Sequence, residues 1–124
     1  MAGQVTADEL NAAALANVKL VVNHRAQNEE SDQPSSADMT EMTARLGLRY
    51  IEIPVVGMPS QEAVALTLDA LNSLQSGEQI LLFCRSGMRS AAAWALAERS
   101  RGADADALRA AAAAAGYDLS RLPL

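Results

Sequence analysis

Cys84 is the chain's one cysteine, and it stands in the stretch LLFCRSGMRSA, Leu81 to Ala91, between an apolar run and two arginines. The thiolate, not the thiol, is the nucleophilic form of cysteine. A strand ending at Cys84, a short loop through Gly87 and a helix starting near Ser90 would aim several backbone N–H groups and a helix dipole at one point. That point attracts anions and favours thiolate over thiol, and Arg85 and Arg89 add positive charge to it. Gly87 permits a backbone turn that a side chain would obstruct. A solitary cysteine on an apolar strand otherwise reads as a small buried hydrophobe. Here Arg85, Ser86, Gly87, Met88 and Arg89 surround the sulfur, and the context points instead to a nucleophile in an anion-binding loop.

The elements that must position this loop alternate along the chain. Thr6 followed by Glu9 is a capping-box signature for a helix through about Asn17. VKLVVN reads as a first strand, and the polar stretch His24 to Ser36 as a loop whose tail caps a helix through ADMTEMTARLG, ended by Gly47. LRYIEIPV alternates like a strand and stops at Pro54. Ser60 starts a long helix with Val64, Leu68 and Leu71 on one face, ending at Gly77. QILLF is the most apolar strand, as a central parallel strand covered on both faces should be. AAAWALAERSRG is helical to Gly102, and a last helix is capped by Asp104 and closed by Gly116. Its alanine run, Ala110 to Ala115, reads as plain helix former, and Trp94, Met39 and Met42 as core.

Alternating helices and strands predict an α/β fold, a small parallel sheet flanked by helices, with all strand carboxyl ends along one edge. Ligand sites in such sheets gather there. His24 and Arg25 follow the first strand, VVGMP the second and Cys84 the third, so all three face one rim. A single histidine at a strand end reads more readily as a surface residue or loop anchor than as a catalyst. Arg25 has two equal readings, a grip on substrate anions or a salt bridge to Glu29. No second His, Cys or carboxylate at ligand spacing supports a metal, and none is expected, nor any cofactor.

At 124 residues the chain is read as a single domain over residues 1–124. Half of its residues are apolar, which excludes disorder, yet no apolar stretch approaches the roughly 18 residues of a membrane helix. The opening MAGQVTADEL lacks the charged and apolar regions of a secretory signal, so a reducing cytoplasm is the expected compartment. A net charge of -5 argues against nucleic acid as a partner, so any anion site must be local.

Cys84 followed at the fifth position by Arg89 resembles the CxxxxR loop of rhodanese-type sulfurtransferases, one residue shorter than the CxxxxxR loop of cysteine phosphatases. The blocks AGQVTADEL, VVNHRAQNEESDQP, LGLRYIEIPV, CRSGMRSAAAWAL and AAGYDLSRL resemble, in order, a small bacterial phosphatase-fold domain. That domain belongs to the β-lactamase hydrolase-like family and occurs alone or fused to a metallo-β-lactamase-like hydrolase. The resemblance implies a cysteine phosphatase-like fold with a shortened loop, and activity described as sulfur transfer or as phosphatase-like. In either chemistry Cys84 attacks, becoming a persulfide or a thiophosphate. Arg89 and the N–H groups from Arg85 to Arg89 would hold the anionic donor, a small sulfur compound or a phosphorylated substrate. Ser90 would donate a hydrogen bond to the departing sulfur.

This chain departs from the family pattern in three places. Phe83 stands where relatives carry His before the cysteine, and Arg25-Ala26 stands where they carry Arg-Pro. The family's first strand would precede AGQ, so the sheet is expected to lack an edge, with poorly ordered N-terminal residues or a homodimer through the bare edge. The segment Pro54 to Ser60, where related phosphatases place an acidic general acid, holds no titratable residue. Sulfite or a thiolate leaves without protonation, whereas an alkoxide gains roughly 100- to 10,000-fold from a positioned acid. Sulfur transfer is therefore the better fit, with phosphatase chemistry as the alternative. Glu29, Glu30 or Asp32 is the substitute acid that the alternative would need. A non-catalytic interaction module is the third reading, and intact Cys84, Gly87 and Arg89 speak against it.

Overall fold

The computed structural model describes residues Met1–Leu124. In chain order the elements are α1 (Ala7–Leu15), β1 (Val18–Asn23), α2 (Ser36–Arg45), β2 (Arg49–Glu52), α3 (Gln61–Asn72), β3 (Gln79–Phe83), α4 (Met88–Ser100) and α5 (Ala105–Ala114). Short polar side chains begin four of the five helices. Thr6 and Glu9 form a reciprocal capping box on α1, and Ser35 and Asp38 form another on α2. Ser60 accepts from the Ala63 N–H, and Asp104 from the Ala107 N–H. Each satisfies a donor that the first helical turn leaves without a partner.

The three strands are parallel in the order β2-β1-β3, with Asn23 in register with Glu52 on one side and with Phe83 on the other. The central strand is therefore VKLVVN and not QILLF, which lies at the edge. Apolarity reports that both faces of a strand are covered, and it is silent on which neighbours the crossovers supply. Both faces of β3 are indeed covered. Phe83 joins Val5, Leu10, Val21 and Met39 beneath α1 and α2, whereas Leu82 joins Leu20, Val22, Val55, Ala63 and Ala70 beneath α3. From Leu20 to Val22 successive residues of β1 supply alternate layers, as the two-residue strand period requires, after an irregularity in register between Val18 and Leu20. A third cluster, Ala91, Ala92, Ala95, Ala112, Leu119 and Leu122, seats α5 on the outside of α4, where small side chains let the helices approach closely.

Several boundaries and faces differ from the sequence expectation. Helix α3 buries Ala63, Thr67, Ala70 and Leu71, while Val64 and Leu68 are half-buried along the groove it forms with α4. It ends at Asn72, short of Gly77. Helix α4 begins at Met88, so Arg89 and Ser90 stand in its first turn. Met39 is buried, and Met42 and Trp94 pack partly buried against the clusters.

The N-terminal residues do not trail away from the sheet, so the first of the two expected outcomes, a poorly ordered N-terminal segment, is not what the structure has. The Ala2 N–H donates to the Leu82 carbonyl at 2.8 Å, and the Ala2 carbonyl accepts from the Cys84 N–H at 3.2 Å. Ala2 thus forms a parallel bridge with Phe83 on the outer edge of β3, and Gln4 N–H continues it to the Arg85 carbonyl at 3.1 Å. A side chain at Gly3 would come within 2.9 Å of that same carbonyl, so glycine is what lets this segment lie against the cysteine loop. No helix is long and apolar enough to cross a membrane.

Candidate active site

Cys84 directly follows β3, and its side chain has no exposed surface. The chain then turns through Gly87, whose φ of 99° is left-handed and which stands as the N-cap of α4. The Gly87 N–H donates to the Cys84 sulfur at 3.1 Å. No backbone or side-chain acceptor takes the N–H groups of Arg85, Ser86, Met88 or Arg89. Four free donors thus gather at the positive end of a thirteen-residue helix, an arrangement whose electrostatics suit an anion. Arg85 and Met88 form its outer rim, the Arg85 side chain 66% exposed and reaching Glu30 at 3.3 Å.

Arg89 is held from two sides. Nη1 donates to the Val55 carbonyl at 2.8 Å and to Glu29 Oε2, and Nη2 donates to Glu29 Oε1 at 2.8 Å. Guanidinium carries five N–H groups, so Nε–H and one Nη2–H stay without an acceptor. Those two lie on one side of the group as a fork that matches two oxygens of an anion. Glu29 and then Cys84 raise the Arg89 pKa above its ordinary value, which places the sulfur within reach of the guanidinium charge. The VVGMP segment thus serves the site through a backbone carbonyl.

Glu29 is fixed in turn by Arg25. Glu29 Oε1 accepts from Arg25 Nε at 2.9 Å, and Oε2 accepts from the Ala26 N–H at 3.1 Å. Arg25 is buried, with Nη1 donating to Gln4 at 2.8 Å and Nη2 donating to Glu30 at 2.8 Å. Of its two readings, the structure realises the salt bridge. Hydrogen bonding to Arg89 is the largest cause that lowers the Glu29 pKa to about 2, so this carboxylate carries no proton near neutrality. The sequence marks Glu29 as a substitute acid or as a salt-bridge partner of Arg25. Its role as the partner of Arg89 spans 60 positions and leaves no local signal.

His24 is not on the surface. It is fully buried, with Nδ1 at 2.7 Å from Ser90 Oγ and Nε2 at 3.1 Å from Thr67 Oγ1. Burial, followed by the Arg89 charge, lowers its pKa to about 4, so the ring is neutral at pH 7. The bond that Ser90 makes is to His24 and not to Cys84, which corrects the expectation that it donates to the sulfur. Thr67 and Tyr117 also escaped the sequence reading. The Tyr117 hydroxyl lies against Gly87, where a Cβ would come within 2.1 Å of it. Nowhere do three His, Cys, Asp or Glu side chains come together at metal-binding distances. The larger grooves lie elsewhere, one of about 480 Å³ between α3 and α4, one of about 430 Å³ beside α2 and one of about 400 Å³ beside β2.

Residues 1–102 match the family model of the beta-lactamase hydrolase-like protein, phosphatase-like domain. Beta-lactamase hydrolase-like proteins from two strains of Xylella fastidiosa are each 30% identical to the chain over 122 residues, 98% of its length. The chain spans only 28% of the length of those relatives. Among solved structures, a candidate phosphatase from Neisseria meningitidis superposes with a TM-score of 0.82 at 23% identity, covering 96% of this chain and 84% of that one. A candidate phosphatase from Shewanella putrefaciens gives 0.69 at 20% identity, covering 86% and 68%. A kinase associated phosphatase whose catalytic cysteine is replaced by serine gives 0.66 at 14% identity, covering 82% and 60%. At these identities the structures speak for the fold, the α/β fold of cysteine phosphatases. By the family match and the nearly complete alignment with its relatives, the chain belongs to the phosphatase-like domain family of the beta-lactamase hydrolase-like proteins.

Proposed function

We propose that the domain is a cysteine-dependent sulfurtransferase that carries sulfane sulfur as a Cys84 persulfide. The observation that carries this reading is the protonation state of Glu29, which grips Arg89, and of His24, which bonds Ser90 in the first turn after the cysteine loop. Glu29 is held ionised with a pKa of about 2, and His24 is held neutral with a pKa of about 4. Neither has a proton to give an alkoxide or phenoxide at neutral pH, and the Pro54–Ser60 segment holds no other acid. A leaving group that needs no proton fits such a site.

In the first step the Cys84 thiolate attacks the outer sulfur of a thiosulfate-type donor. The Sγ–S bond forms as the donor's S–S bond breaks, and the electron pair leaves with sulfite. In the second step a thiolate acceptor attacks the terminal sulfur, and Cys84 departs as thiolate. The open side of the Arg89 guanidinium and the free loop N–H groups bind the donor's oxygens. The family's phosphatase-like description favours the second reading, attack on phosphorus through a thiophosphate, restricted here to good leaving groups. The Xylella fastidiosa relatives, of which this chain spans 28%, have room for the hydrolase their name describes, and a hydrolase is the partner this reading gives the domain.

Thiosulfate or glutathione persulfide assayed beside an aryl phosphate separates the two chemistries. Sulfur transfer should dominate, mass spectrometry should find one added sulfur on Cys84, and Cys84→Ser should abolish turnover. Aryl phosphate turnover in the absence of any persulfide would overturn the reading. Full activity in the serine variant would remove catalysis from this loop altogether.

A further inference from the structure

We propose that His24 is a positioning residue that takes the Ser90 hydroxyl proton on Nδ1 and so withholds that proton from the Cys84 sulfur. The direction of each bond in this buried chain follows from counting hydrogens. Thr67 has one hydroxyl proton, and Oγ1 lies 2.8 Å from the Ala63 carbonyl in its own helix. A carbonyl only accepts, so the Thr67 proton goes there. Thr67 Oγ1 therefore faces His24 Nε2 as an acceptor at 3.1 Å, and the ring proton sits on Nε2. Nδ1 is left bare, and at 2.7 Å it takes the Ser90 proton. Ser90, His24 and Thr67 have no exposed surface, so no water competes for these protons.

The chain of bonds stands beside the nucleophile. Asn23 is in register with Phe83, and the His24 N–H donates to the Phe83 carbonyl at 2.8 Å, so His24 and Cys84 are the next positions on adjacent strands. Ser90 lies in the first turn of the helix whose N-cap, Gly87, donates to the sulfur. A Ser90 hydroxyl freed from His24 would be available to the thiolate that this same turn surrounds. With His24 in place the thiolate has the Gly87 N–H and the Arg89 charge but not the hydroxyl, which leaves it the stronger attacking sulfur.

This inference rests on Cys84 being the nucleophile, and it holds for transfer to sulfur or to phosphorus. The test follows alkylation of the single cysteine against pH in four variants. The other charges facing the pair, Arg89 and the Met1 amino group, are unaltered in all of them. Ser90→Ala should leave the midpoint where it is. His24→Leu should lower it by about one unit, because the released hydroxyl now donates to the thiolate. His24→Leu combined with Ser90→Ala should restore it, and His24→Asn, which keeps an acceptor near the Nδ1 position, should hold it. A rise in Ser90→Ala alone, or no change in His24→Leu, would overturn the proposal. Nitrogen NMR of the unaltered protein gives a second reading, since His24 is the only histidine. Nε2 should be protonated and Nδ1 bare at neutral pH, and the opposite tautomer would overturn the proposal as well. If Cys84 resists alkylation at every pH, the nucleophile assignment fails, and the tautomer still decides the direction of the bonds.

Discussion

Glu29 and Arg89, 60 positions apart, meet through both carboxylate oxygens and both terminal guanidinium nitrogens. The pair leaves the Nε side of Arg89 open and fixes the plane in which that side lies. Orientation of this kind lowers the entropy lost when an anion binds. Glu29→Gln keeps the shape but removes the charge and one acceptor. Donor KM should rise about tenfold and kcat should fall, since the guanidinium would sample several planes. Steady-state kinetics checks this, and unchanged constants would reduce Glu29 to a loop anchor.

Two titrations should divide the acid stability curve into separate windows. Glu29 has its pKa lowered from 4.5 to about 2, so its stabilisation is complete above 4.5 and is lost as pH falls towards 2. His24 has its pKa lowered from 6.5 to about 4, so the unfolded chain binds the extra proton between those values. Its contribution is complete above 6.5 and is lost between 6.5 and 4, at up to about 1.4 kcal/mol per pH unit. Urea unfolding at a series of pH values should show His24→Leu flattening the upper window and Glu29→Gln flattening the lower one.

Gly87→Ala meets two obstacles at once. Its φ of 99° is unfavourable for any side chain, and the new methyl would land on the Tyr117 hydroxyl. A loss of about 2–3 kcal/mol in unfolding free energy is expected. Tyr117→Ala in the same chain should recover only the part due to the clash. Full recovery would show that the left-handed backbone at Gly87 costs nothing.

Arg89→Lys keeps the charge but loses the fork to Glu29 and the bond to Val55. Turnover should fall at least about a hundredfold, with weaker donor binding. Arg85→Ala removes an exposed side chain whose one ion pair is at 3.3 Å, and its effect should stay within about threefold. Equal losses in the two variants would mean that net positive charge, and not the geometry of Arg89, holds the donor.

Local chemistry is legible along the chain because the groups involved are close in sequence. The caps at Thr6, Ser35, Ser60 and Asp104 act on N–H groups three residues away. The turn from Cys84 to Ser90 carries its own helix terminus and its own glycine, so the strand-turn-helix geometry around the cysteine could be read from seven letters. Tertiary structure decided which strand is central, since β1 lies between two strands delivered by separate crossovers. It decided that Arg25 is buried among Gln4, Glu29 and Glu30, and that Glu29 holds Arg89. It also decided that the lone histidine lies in the interior between Ser90 and Thr67. Apart from the local pairs that Arg25 makes with Glu29 and Glu30, these contacts join residues 21 to 66 positions apart, and their polar groups are satisfied only once both layers of the sheet have closed over them. No periodicity or spacing encodes such a meeting, because it depends on where the packed elements place the side chains.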